Sequence, residues 1–102
     1  MIAEFSEIMV YPQAGLAFLE GEPFCIQDVE EIHLALIAAC TAVHTQTPQK
    51  RSWDSPLGAI EVEPRSFNIL INGVEHTPGT VDRYSHDLQQ AVAAVATQQK
   101  LL

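Results

Sequence analysis

The stretch AIEVEPRSFNILINGVEH, residues 59–76, decides the fold class of this chain. Its opening alternates, with Ile60 and Val62 on one side and Ala59, Glu61 and Glu63 on the other, the period-two pattern of a strand with one face in a core. Residues 64–66 supply Pro and Ser as turn formers, after which Phe67, Ile69 and Ile71 alternate against Asn68 and Asn72. Two such runs around a short turn predict paired antiparallel strands. Asn72-Gly73 is the dipeptide best suited to a type I′ turn, because both central positions there need positive φ, so residues 74–76 are expected to add a third strand.

Helices are expected on both sides of this unit. Upstream, residues 28–46 open with Asp28 and Glu31 in the spacing of a capping box, in which each side chain satisfies a backbone donor left free by the first turn. At 100° per residue, Val29, Ile32, Leu36, Cys40 and Val43 fall on one face, while Ala35, Ala38, Ala39 and Ala42 form a face of small side chains. That alanine face allows close approach of another helix, within the chain or across a dimer axis, and is the expected interface. Downstream, Thr80 is the expected cap of a closing helix whose apolar stripe is Tyr84, Leu88, Val92 and Val95.

The N-terminal segment, residues 3–11, fits helical spacing through Ile2, Phe5, Ile8 and Met9 but is read as a strand because residues 8–11 suit one. It pairs with residues 16–19 across a turn at residues 12–15, and residues 21–23 and 47–56 read as a second turn and a longer loop. The order is strand, strand, helix, two or three strands, helix. It predicts an α+β domain spanning residues 1–102: a two-layer sandwich in which an antiparallel sheet of four to five strands carries two helices on one face. From Asp28 onward the helix, three strands, helix order resembles the topology of the double-stranded RNA-binding domain. That family meets phosphates through basic residues at the start of its last helix, whereas residues 80–87 here hold only Arg83 between Asp82 and Asp87. The resemblance is therefore one of topology and implies no RNA binding.

Charge narrows the partners. Among 102 residues with a formal net charge of −8, every Lys and Arg lies from residue 50 onward: Lys50, Arg51, Arg65, Arg83 and Lys100. Glu4, Glu7, Glu20, Glu22, Asp28, Glu30 and Glu31 stand in the first 49 residues with no Lys or Arg to balance them. Displacing counterions from phosphates needs a basic footprint, so no nucleic acid is expected and a basic protein is the better match. The plainer reading is that the acids keep the protein soluble. No apolar run approaches the length of a bilayer span, and Glu4 and Glu7 stand where a secretory signal would carry bases, so the expectation is a cytoplasmic protein with no membrane partner. Cys25 and Cys40 are too few for a disulfide scaffold and are expected as free thiols.

No P-loop, dinucleotide fingerprint, H-E-x-x-H or paired C-x-x-C is present, so no catalytic residue, metal or cofactor is assigned. His33, Cys40 and His44 share a helix edge, but a fourth ligand is missing and a packed helix edge explains them. Asp82 and His86 are expected as an exposed pair. Lys50, Arg51 and Trp53 share the 47–56 loop. Trp and Arg often dominate interfaces, against the alternative that Trp53 folds back on the core. The expected function is a non-enzymatic protein-binding or regulatory module, homodimeric, engaging a partner through its acidic half (Glu20, Glu22, Glu30, Glu31) or through Lys50, Arg51 and Trp53. The alternatives are a small ligand-binding domain or enzyme with a pocket edged by His33, His44 or Cys25, and a subunit of a larger assembly.

Overall fold

A computed structural model of the chain describes residues 4–45 and 50–100. In chain order the elements are β1 (Met9–Tyr11), a 3-10 turn (Pro12–Ala14), β2 (Leu16–Leu19), β3 (Glu22–Cys25), α1 (Ile26–His44), β4 (Ser52–Trp53), β5 (Ile60–Val62), β6 (Ile69–Ile71), β7 (Val74–His76) and α2 (Pro78–Lys100). The α+β class and the antiparallel pairing are as the sequence predicts. The single sheet is not: the strands form two sheets, β1-β2-β3 and β4-β5-β6-β7, each pairing in sequence order.

Two local features produce the split. Leu19 pairs with Glu22, so the turn is Glu20-Gly21, both at positive φ (53° and 81°), and residues 22–25 return as a third strand where a turn at residues 21–23 is expected. Pro23 is tolerated because β3 is an edge strand. β3 then runs straight into α1, whose 19 residues carry the chain roughly 28 Å onward before the second meander begins.

This direct entry also moves the helix start. Cys25 is the N-cap, in extended geometry and without a side-chain cap, so the Asp28 and Glu31 capping box does not form; Asp28 sits in the first turn, where its charge still favours the helix dipole. α2 likewise starts earlier than expected. Pro78 occupies the first helical position, and the Thr77 hydroxyl accepts the Thr80 backbone N–H at 3.3 Å, so Thr77 rather than Thr80 caps the helix.

The second meander follows the sequence closely. Asn72 and Gly73 have φ of 53° and 80°, as a type I′ turn requires. At the other hairpin the Glu63 carboxylate accepts the backbone N–H groups of Arg65 and Ser66 and fastens the turn. Those same bonds, Ser66 first, hold the Glu63 carboxyl below its ordinary pKa. The 47–56 loop contains one surprise: Ser52 and Trp53 pair with Glu61 and Ile60 as β4.

The core joins Leu19 from β2, Val29, Ile32 and Leu36 from α1, Ile60 and Ile69 from β5 and β6, and Val81 and Leu88 from α2, all fully buried. Toward its end α1 turns Ala39 and Ala42 inward, while Cys40 and Val43 remain at the margin of the core. α1 packs along α2 and touches both sheets. No helix of the described residues is long and apolar enough to cross a membrane.

Candidate functional site

The outer face of α1 carries two of the five large apolar side chains left exposed among the described residues. Leu34 and Ile37 are 58% and 42% exposed, although both are large apolar side chains on the helix that anchors the core. Residues three and four apart on a helix are neighbours, so Leu34 lies one turn from both Glu30 and Glu31, each of them exposed. The face is thus an apolar pair with Glu30 and Glu31 at the Leu34 end and, at the Ile37 end, a cavity lined also by Asp82, Asp87 and Arg83.

The remaining sequence-predicted residues divide among separate places. Glu20 and Glu22 flank the β2–β3 turn and, with Glu4, line a cavity of about 290 Å³ bounded by Phe5, Leu57 and His76. Glu20 also clasps the N-terminal segment: its two carboxylate oxygens accept the Ser6 backbone N–H and hydroxyl, each at 2.8 Å. Trp53 is half-buried against the core from β4, and the Lys50 ammonium lies 6.0 Å from its ring centroid. Arg51 is exposed, while its carbonyl accepts the Val62 N–H at 2.8 Å. Of the alanine face, Ala39 and Ala42 are buried in the chain's own core, leaving Ala35 and Ala38 half-buried at its border.

The residues expected at a pocket edge do not converge. Cys25 and His44 stand at opposite ends of α1. His33 lines a cavity of about 480 Å³ with Asp82, Ser85 and His86. Its Nδ1 is 2.8 Å from the Ser85 carbonyl oxygen and 2.9 Å from the hydroxyl of the same 3% exposed serine, an arrangement that ties α1 to α2. His86 pairs with Gln90 at 3.3 Å rather than with Asp82. Among the described residues no group of three or more His, Cys, Asp and Glu is placed to hold a metal ion. Cys40 lies beside the Pro78 carbonyl, and burial, reinforced by the Asp82 carboxylate, pushes its thiol up to about 11, so it is not an activated nucleophile.

One constellation is invisible to periodicity. The Phe5 ring lies flat between two others, 3.9 Å from Tyr84 and 4.2 Å from His76 by centroid, each within 7° of parallel. The Tyr84 hydroxyl is buried and has no hydrogen-bond partner among the described residues. Burial, and then the charges of Glu20 and Asp87, hold its phenol far above the ordinary tyrosine value. Phe5 and Tyr84 also line a groove of about 620 Å³ between residues 4–8 and α2, edged by Arg83 and Asp87. The ring positions are far apart in sequence and carry no shared spacing. The advance signals were Tyr84, on the apolar stripe of the closing helix, and Phe5, an apolar residue in a segment that suits both helix and strand.

Compared with known proteins, the chain matches no family model, no curated protein and no solved structure.

Proposed function

We propose that this chain is a non-enzymatic protein-binding module that receives a basic, amphipathic segment of a partner protein on the outer face of α1. The observation that carries this reading is the exposed pair Leu34 and Ile37 beside Glu30 and Glu31. A single exposed Leu is ordinary, but two large apolar side chains one turn apart on the solvent side of a helix form a docking point, since fully burying one Leu or Ile stabilises by roughly 1.5–3 kcal/mol. The carboxylates choose the partner: a helix presenting Leu or Ile on one side and Lys or Arg beside it satisfies both the apolar and the charged groups.

A second copy of the chain is a poorer occupant of this face. A two-fold interface brings the same patch against itself and would face Glu30 and Glu31 with their own counterparts. A homodimer through the alanine face is also disfavoured by the burial of Ala39 and Ala42.

The test uses a synthetic amphipathic helix of leucine and lysine, titrated into the labelled protein and followed by NMR. Shifts centred on Leu34 and Ile37, affinity that falls steeply with salt, and loss of binding in Leu34→Asp support the proposal. Undiminished binding to Leu34→Asp, in a variant that retains its helical circular dichroism, refutes it.

A further inference from the structure

We infer that the slot between Tyr84 and His76 is a binding site for a planar aromatic amine in its cationic form, and that Phe5 occupies it as a built-in plug. The site is separate from the α1 face. The two rings of the slot stand parallel and one ring apart, with Phe5 between them at 3.9 Å and 4.2 Å. A flat ligand therefore meets two preformed stacking surfaces as soon as Phe5 withdraws.

The surroundings specify the charge. The cavity on the His76 side is lined by Glu4, Glu20 and Glu22 with no Lys or Arg, and the groove on the Tyr84 side sets Glu4, Glu7 and Asp87 against the single Arg83. An ammonium group carried by the ligand faces carboxylates on either side, while its flat ring stacks on the faces of Tyr84 and His76. A second observation points the same way. Tyr84 is 4% exposed, yet its hydroxyl has no partner, a deficit that a donor on a bound ligand would make good.

The plug is built to leave. Residues 4–8 belong to neither helix nor strand; Phe5 and Ile8 rest partly buried on the core, and the polar fastening is the exposed pair of hydrogen bonds from Ser6 to Glu20. Glu20 is at once the clasp of the plug and one of the acids of the cavity, so a ligand ammonium and Ser6 compete for the same carboxylate. Binding and release of the N-terminal segment are then two sides of one equilibrium: the plug lowers apparent affinity by the fraction of time it occupies the slot.

Tryptamine is the probe, titrated into the full chain and followed by the NMR signals of Tyr84 and His76. Phe5→Ala is expected to bind it about tenfold or more tightly than the wild type, and Ser6→Ala, which loosens the clasp without touching a ring, by about threefold. Neutral 3-methylindole should bind Phe5→Ala more weakly than tryptamine, and Leu34→Asp should leave the tryptamine affinity unchanged. A folded Phe5→Ala variant whose Tyr84 and His76 signals ignore tryptamine overturns the inference. If Phe5→Ala does not fold, equal tryptamine binding by Ser6→Ala and the wild type overturns it instead. Equal affinity for 3-methylindole and tryptamine overturns the assignment of a cation.

Discussion

The Nδ1 of His33 on α1 lies 2.8 Å from the carbonyl oxygen of Ser85 on α2. A ring nitrogen this close to a carbonyl oxygen must carry the hydrogen, so Nδ1 donates, and the Ser85 hydroxyl at 2.9 Å accepts from the same N–H. His33→Leu removes the donor from this helix crossing and should cost about 1–3 kcal/mol in urea denaturation. Ser85→Ala leaves the carbonyl bond in place and should cost less than His33→Leu; a larger loss would show that the hydroxyl, not the carbonyl, is the principal partner.

Gly58 sets the loop that joins β4 to β5, the first connection of the second meander. Its φ is 129°, and a Cβ there would collide with the side-chain amide of Asn72. That amide is itself engaged, donating to the Leu57 carbonyl at 2.7 Å and accepting the Ala59 N–H at 3.2 Å. Gly58→Ala combines backbone strain with the loss of these bonds and should destabilise the fold by about 2 kcal/mol or more. Thermal denaturation reads the loss directly, and an unchanged midpoint would contradict the bracing role of Asn72.

Tyr84→Phe removes a buried hydroxyl that has no partner. The variant should be as stable as the wild type or more so, by about 1 kcal/mol, while losing tryptamine affinity in the Phe5→Ala background. Because folding raises the phenol's pKa, the folded state is unaffected by its titration below the unfolded tyrosine's value and loses stability as pH climbs above it. Absorbance at 295 nm should therefore show this phenol ionising together with alkaline unfolding, and Tyr84→Phe should abolish that step.

The two thiols should separate kinetically. Cys25 is exposed at the start of α1, whereas Cys40 is partly buried with its pKa raised to about 11. At pH 8 Ellman's reagent should modify one thiol promptly and the second only slowly or on unfolding. The stabilisation carried by neutral Cys40 is complete below the unfolded thiol's pKa and declines as pH rises towards 11. Equal labelling rates in Cys25→Ser and Cys40→Ser would contradict this placement.

The second meander was legible because each of its signals is local. Residues 60–62 and 69–71 alternate, and Asn72-Gly73 announces its own turn, so strands and turn appear where the pattern puts them. The first meander was only half legible. Glu20-Gly21 makes a turn with positive φ at both positions, but a glutamate does not advertise it, and Pro23 reads as a breaker until an edge position makes it acceptable. Of the candidate site, the acids and Trp53 were visible as residue types, whereas the exposure of Leu34 and Ile37 was not. Periodicity shows which face of a helix is apolar but not where the core stops covering it.

Sequence alone determined the elements whose causes act over a few residues: the strand alternation at residues 59–71, the type I′ turn at Asn72-Gly73, the two long amphipathic helices and the acidic first half. Only the tertiary structure decided that the strands divide into two sheets, that Ala39 and Ala42 belong to the core, and that Phe5 meets Tyr84 and His76. The physical reason is range. Backbone sterics and side-chain periodicity are settled between neighbours, while the partner of a ring or a sheet edge is chosen by how the whole chain buries its apolar surface.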